Sequence, residues 1–409
     1  MSASDTSRRD FLKTLGLGAA VGAAAVAAAP VLAATAQAAP AAPSAAVMPK
    51  RMLGKTGVEV PILCLGGMFD TINNQLLLRQ ALNWGVSYWD TAEYYGRGLS
   101  EEGFGRFFAR NPDRRKDVFL VTKLTPKEGN FPERFEKSLA RLQTSYVDLF
   151  FVHGIDSMSQ LKPEFRAFAA EMKKAGKIKH FGFSTHSNME DLMQAAAKEG
   201  GPAANLDVIM ATYNTSVMHK PAMQAAVDAC AKAGIGLVAM KTQGMGPATA
   251  PTEAEAKVAQ QFLSRGFTDK QARLKAVWEN KTFASICSQM PSINILSANV
   301  AAARDQVSLS AAERAALVEL ASAEATGYCG GCGSICSQAC DGLPVQHVMR
   351  SLMYHNEYQE PGLGRATFAE LPEAVRQRLA QADFAKAEAR CPHKLEIAKL
   401  VRGAVETLA

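Results

Sequence analysis

The chain carries little net charge. Its 45 Lys and Arg against 39 Asp and Glu leave a formal +6 over 409 residues, too weak and too scattered to hold a nucleic-acid backbone, so nucleic acid is excluded as a partner. No internal repeat rises above an alternation of short apolar segments. With 48% hydrophobic and 21% charged residues the composition is that of a globular protein and not of a disordered one. A strongly apolar span is also missing. The run over residues 15–34 is mostly alanine and glycine, whose transfer into lipid gains little, so a stable membrane span is not expected. Cysteine is scarce before residue 329: Cys64, Cys230 and Cys287 lie in apolar runs and read as core thiols.

What is present begins with a leader. Ser7-Arg8-Arg9-Asp10-Phe11-Leu12-Lys13 precedes the alanine-rich run, and Ala36-Gln37-Ala38 follows it as a small-residue cleavage site. This is the form of a twin-arginine export signal. Residues 1–38 are read as the signal peptide and the Ala/Pro stretch 39–47 as a linker. The expectation is a periplasmic protein, exported folded, with the twin-arginine translocation machinery as a partner.

From residue 48 the pattern alternates strand and helix. Residues 51–60 resemble a hairpin turning at Gly54-Lys55-Thr56-Gly57, and eight short apolar segments follow as strand candidates: 61–67, 86–90, 118–123, 147–153, 180–184, 207–213, 235–241 and 284–290. A helix over 75–84 is ended by Gly85, and Phe131-Pro132-Glu133 starts another. Eight alternations over residues 48–322 predict an α/β fold, a (β/α)8 TIM barrel. The C-terminal ends of its strands open on one face, where barrel active sites lie. Asp90, Lys123 and His153 close the second, third and fourth strands, and Tyr95 sits on the loop after Asp90. A phenol with a pKa near ~10 moves protons poorly at neutral pH unless a cation lies beside it and a carboxylate holds that cation. These four residues supply that set.

The segment 323–409 holds the other five cysteines. Cys329-x2-Cys332-x3-Cys336-x3-Cys340 with a distant Cys391-Pro392 is the layout of an iron-sulfur site. A four-thiolate zinc site and disulfides are the alternatives. An iron-sulfur cluster is assembled in the cytoplasm, so it requires folding before export, which is what a twin-arginine signal implies. His186, His219 and His347 read as isolated histidines, and Met349 and Met353 as the apolar face of a helix packed on the barrel.

Asp90-Thr91-Ala92-x-x-Tyr95-Gly96, with Lys123 and His153 at strand ends, resembles the catalytic tetrad of the aldo-keto reductase superfamily. The resemblance implies an oxidoreductase that reduces a small-molecule carbonyl, or oxidises the alcohol, with NAD(P)H. Tyr95 would be the general acid, Lys123 would lower its pKa, Asp90 would pair with Lys123, and His153 would orient the carbonyl. The adjacent Tyr94 is the competing phenol, and the spacing from Asp90 to the glycine favours Tyr95. Cofactor-binding candidates by the same likeness are Ser184 and Thr185, where the family usually has an asparagine at the Thr185 position, Tyr213, and Lys241. Met210 falls near the family's usual glutamine and cannot donate a hydrogen bond. Lys241-Thr242-Gln243-Gly244-Met245-Gly246 reads as either a phosphate-contacting loop or a plain turn. No Lys or Arg occurs between Lys281 and Arg304, so a preference for the 2′-phosphate is unsupported.

The tail resembles the ferredoxin-type extension of an exported aldo-keto reductase subgroup, in which Met349-Arg350-x-x-Met353-Tyr354 and Cys391-Pro392-x-x-Leu395-x-Ile397 have counterparts. A ferredoxin's second set would place cysteines near Phe384 and Ala387, so one 4Fe-4S cluster is implied. By the ferredoxin cross-ligation pattern its ligands are Cys329, Cys332, Cys336 and Cys391, leaving Cys340 spare; the other set takes Cys340 and frees Cys391. The alternative function is a non-catalytic iron-sulfur electron-transfer or redox-sensing protein on a reductase-like barrel, serving an electron-transfer partner. A further alternative keeps catalysis and draws electrons from the cluster.

Overall fold

A computed structural model describes residues 47–126, 130–198, 206–243, 252–324, 329–358 and 360–409. The export signal and most of the linker lie outside these residues, as do residues 244–246 of the glycine-containing loop. The chain enters through an antiparallel hairpin, β1 (Lys50–Met52) and β2 (Glu59–Pro61). Its turn crosses the floor of the barrel, where Gly54 has φ +55 and a Cβ would lie 2.3 Å from the Gly236 nitrogen. Glycine is required there for both backbone and space.

The eight expected strands are all present, with ends shifted by one or two residues: β3 (Leu63–Gly66), β4 (Tyr88–Asp90), β5 (Phe119–Leu124), β6 (Val147–Val152), β7 (Ile178–Thr185), β8 (Val208–Thr212), β9 (Gly236–Met240) and β10 (Phe283–Gln289). They close a parallel barrel in the order β10-β3-β4-β5-β6-β7-β8-β9. Successive side chains on a strand point to opposite faces, and the two sides form separate cores. Tyr88, Val121 and Phe151 belong to the cluster inside the barrel. Trp89, Leu120 and Phe150 face the surrounding helices and pack with Phe104, Phe107 and Phe135. Each such buried side chain contributes about 1.5–3 kcal/mol of apolar transfer energy, so a slip of one residue would be costly. The same parity, carried two residues further, turns Asp90, Lys123 and His153 into the open end of the barrel.

Beyond residue 329 the chain is helical, as expected: Gly333–Ala339, Val345–Leu352 continued by a wider turn at Met353–Glu357, Pro361–Phe368, Glu373–Gln381, Ala385–Arg390 and Ile397–Leu408. These helices bury a core of their own around Val348, Phe368, Leu379 and Val401. They rest on the barrel's C-terminal face. The Gly331 carbonyl accepts from the Asn188 amide at 2.8 Å, and the Ser334 amide donates to Asn188 Oδ1 at 2.9 Å. Gly331 has φ +76, and a Cβ there would sit 2.3 Å from the His186 carbonyl oxygen, so its side-chain-free backbone is what allows this approach. Among the described residues no helix is long and apolar enough to cross a membrane.

Candidate active site

Lys123 is 1% exposed, and each of its three protons has an acceptor. The ammonium contacts the Asp90 carboxylate, the Thr91 carbonyl at 2.9 Å and Tyr95 Oη at 3.3 Å. The Tyr95 ring stands edge-on to the His153 ring, centroids 5.6 Å apart. His153 Nδ1 is buried without a hydrogen-bond partner among the described residues. Tyr94 turns the other way, its Oη 3.3 Å from Thr367 Oγ1 on the C-terminal extension. The structure therefore brings Asp90, Tyr95, Lys123 and His153 together and puts Tyr95, not Tyr94, on the lysine.

Electrostatics sharpen this arrangement. Burial works against the Lys123 charge, but Asp90 and Tyr95 outweigh it and hold the ammonium above its ordinary pKa. Burial lifts Asp90 while Lys123 pulls it down, and the direct contact between them keeps the pair ionised. Lys123 does pull the Tyr95 phenol down, as expected, but burial pushes it up by more, so Tyr95 stands above the ordinary tyrosine value and keeps its proton at neutral pH. His153 is driven well down by burial, then by Lys123 and Arg350, and is neutral. A buried, protonated phenol beside a fixed ammonium, with a neutral imidazole across from it, is equipped to give a proton to an oxygen that is gaining charge.

Asp90, Tyr95 and His153 line a cavity of about 470 Å³ between the barrel mouth and the extension. Met210 and Cys287 form part of its floor, and His347, Arg350 and Tyr354 of the extension part of its roof. Of the four cofactor-binding candidates, only Lys241 lines it. Ser184 Oγ accepts from the Gly154 amide at 3.0 Å. Thr185 Oγ1 donates to the Ser187 carbonyl at 2.7 Å, and both residues are buried in their own loop. Tyr213 falls on the outward parity of β8: its ring stacks on Phe283 at 4.1 Å and its hydroxyl accepts from Asn280 at 3.0 Å. Strand alternation is the reason, since Met210 and Thr212 take the inward positions. Lys241, at φ +54, leaves the extended conformation and swings its ammonium to 4.8 Å and 5.0 Å from the Tyr354 and Tyr358 ring centres. His186 and His347, read from sequence as isolated, both border the cavity. The sequence signal that would have found the roof is His347, Arg350 and Tyr354 at i, i+3 and i+7 on one helix face.

The cysteines of the extension form a second cluster. Cys329, Cys332, Cys336 and Cys391 line one small cavity of about 20 Å³ whose other walls include Ile335, Met349 and Leu395. Cys340 is not on that cavity; its thiol donates to the Cys336 carbonyl at 2.8 Å. Burial pushes the Cys329 thiol up to about 12, and its three cysteine neighbours push the same way. Among the described residues no three His, Cys, Asp or Glu side chains are close enough to grip a single metal ion. A neighbouring cavity of about 110 Å³ touches both Cys329 and Lys241.

A closed parallel barrel with a buried carboxylate, ammonium and phenol at its open end is equipped for proton transfer to a bound group. The sequence model of the aldo/keto reductase family matches residues 65–312, and the chain belongs to that family. The uncharacterized oxidoreductase YrpG of Bacillus subtilis is 29% identical over 211 residues, covering 46% of this chain and 64% of that protein, so the chain spans less than two thirds of that relative's length. L-galactose dehydrogenase of Arabidopsis thaliana is 26% identical over 288 residues, 63% of this chain and 89% of that one. The structure of an aldo-keto reductase from Klebsiella pneumoniae in complex with NADPH superposes with a TM-score of 0.55 at 23% identity, over 67% of this chain and 95% of that one, a likeness of fold.

Proposed function

We propose that the protein reduces a small-molecule carbonyl compound, or oxidises the corresponding alcohol, at the cavity over Tyr95. The observation that carries this reading is Lys123 held between Asp90 and Tyr95 at the base of that cavity. A bound nicotinamide would supply the hydride; the structural relative from Klebsiella pneumoniae is a complex with NADPH. Tyr95 Oη gives its proton to the carbonyl oxygen, Lys123 stabilises the phenolate left behind, Asp90 holds Lys123, and neutral His153 donates a hydrogen bond that orients the carbonyl. Lys241, with His186 and Thr212 beside it, is the polar wall available to a nucleotide in place of Ser184, Thr185 and Tyr213. The test is nucleotide-dependent reduction of a panel of aldehydes and ketones by wild type and Tyr95→Phe.

The extension belongs to the same proposal. Cys329, Cys332, Cys336 and Cys391 would hold one 4Fe-4S cluster, which would supply one-electron transfer beside the barrel mouth and to an electron-transfer partner. What supports this reading is the ferredoxin-like cysteine spacing together with the placement of all four residues on one small, largely apolar cavity. Iron and acid-labile sulfide in protein purified without air test it. Export in the folded state to the periplasm rests on Arg8-Arg9 and the run that follows, and fractionation of cells carrying Arg8→Lys/Arg9→Lys tests that part. The second reading, a non-catalytic electron-transfer or redox-sensing protein, draws on Ser184 and Thr185 spending their hydrogen bonds internally. Nucleotide titration separates the two.

A further inference from the structure

Arg350 lies near the end of the helix Val345–Leu352 and lines both the cavity above Tyr95 and the neighbouring one beside Lys241. Its one hydrogen bond among the described residues is to His347 Nδ1 at 3.0 Å. His347 Nε2 lies 2.7 Å from the Thr367 carbonyl, which can only accept. Nε2 is therefore the protonated nitrogen, Nδ1 is the acceptor, and the imidazole is neutral. A neutral partner orients the guanidinium without cancelling its charge. No ion pair to Arg350 is formed among the described residues. Lys123 and Lys241 at the same site are already engaged: Lys123 by Asp90, and Lys241 by the Tyr354 and Tyr358 rings and Met353 Sδ at 3.7 Å. Arg350 thus brings a half-buried positive charge, with most of its five N–H donors unspent, to the roof of the site, and its field reaches His153. Such a charge is costly unless an anion arrives to meet it, and the planar fork matches a carboxylate in bidentate fashion.

We propose that Arg350 is a specificity-determining residue that receives the carboxylate of the substrate, so that the compound reduced is an oxo acid. This rests on the reductase reading above. The diphosphate of a nicotinamide dinucleotide would offer similar oxyanion chemistry, and NADPH affinity in the test below separates the two. The C-terminal extension then has a direct part in choosing the substrate.

The test uses the full-length protein with 4-carboxybenzaldehyde and its neutral isostere methyl 4-formylbenzoate as substrates, and benzoate and benzamide as inert ligands. Wild type should favour the acid. Arg350→Gln should cut the acid-to-ester ratio of kcat/KM by at least ~10-fold, the loss of one charge-assisted pair, and should weaken benzoate binding by a similar factor while leaving the dissociation constant of NADPH in place. Arg350→Lys, which keeps the charge and loses the fork, should fall between the two. An unchanged ratio, wild type that ignores benzoate, or a loss that falls on NADPH instead would overturn the proposal. If wild type reduces neither aldehyde yet binds benzoate through Arg350, the reductase reading fails and the anion site stands.

Discussion

Tyr95→Phe removes one oxygen from the centre of the site and little else. The ring sits edge-on to His153 at 5.6 Å with the Lys123 ammonium 4.8 Å from its centre, and phenylalanine can keep both contacts. The hydrogen bond lost is a long one, 3.3 Å to Lys123, and is worth about 0.5–1.5 kcal/mol of stability. The chemical cost is larger. A positioned general acid contributes about 10²–10⁴-fold, so kcat/KM should fall by that factor, or ~3–5 kcal/mol on the barrier. Nucleotide affinity, read by fluorescence quenching, should stay the same. Tyr94→Phe is the control: its phenol, pushed up to about 12 chiefly by burial, bonds Thr367 and not Lys123, so its loss should cost less than ~10-fold. Because Tyr95 holds its proton above the ordinary tyrosine range, the reduction rate should not decline on the alkaline side until pH passes about 10. Undiminished turnover in Tyr95→Phe, or an equal loss in Tyr94→Phe, would refute the assignment.

Lys123→Met leaves the Asp90 carboxylate buried without its partner and should cost about 3–5 kcal/mol near neutral pH. With its pKa raised by burial and only a hydrogen bond to Cys287 left to pull it back, Asp90 is neutral and harmless below the ordinary carboxylate range, and the penalty grows as pH rises from that range to the raised value and levels off above it; thermal melts at pH 5 and pH 8 should diverge, and adding Asp90→Asn should restore much of the loss. Binding of NADP should exceed that of NAD by under ~1.4 kcal/mol, or tenfold. Apart from Lys241, which faces Tyr354 and Tyr358, the polar groups named after β9 and in β10 are neutral, Gln243 bonding Asn299 at 3.0 Å and Ser288 at 2.5 Å, while nearby Lys270 and Arg273 are paired with Glu255 and Asp269; a hundredfold preference in titration would reveal a phosphate site elsewhere. Serine at Cys329, Cys332, Cys336 or Cys391 should each abolish iron-sulfur absorbance, and Cys340→Ser should leave it, since that thiol is turned to the Cys336 carbonyl; bleaching by Cys340→Ser would shift the ligand set.

The barrel and the grouping of Asp90, Lys123 and His153 were determined by the sequence itself. Short apolar segments of this length alternating with helical ones are what strands buried on both faces of a parallel sheet require, and the two-residue repeat ties each polar strand end to an apolar residue two positions earlier. Tyr88 with Asp90, Val121 with Lys123 and Phe151 with His153 show that link. Cysteine spacing was similarly local, because Cys329, Cys332 and Cys336 lie within one short turn and helix. The nucleotide side was decided only by the tertiary structure. Whether Thr185 or Tyr213 faces the cavity depends on where β7 and β8 stop alternating and on what the following loop bonds, and the left-handed backbone at Lys241 breaks the parity altogether. The roof was equally hidden: nothing periodic connects Arg350 or His347 to a barrel that ends before them. Only the packing of the extension on the strand ends, through Asn188, Gly331 and Ser334, brings their charge and hydrogen bonds over Tyr95.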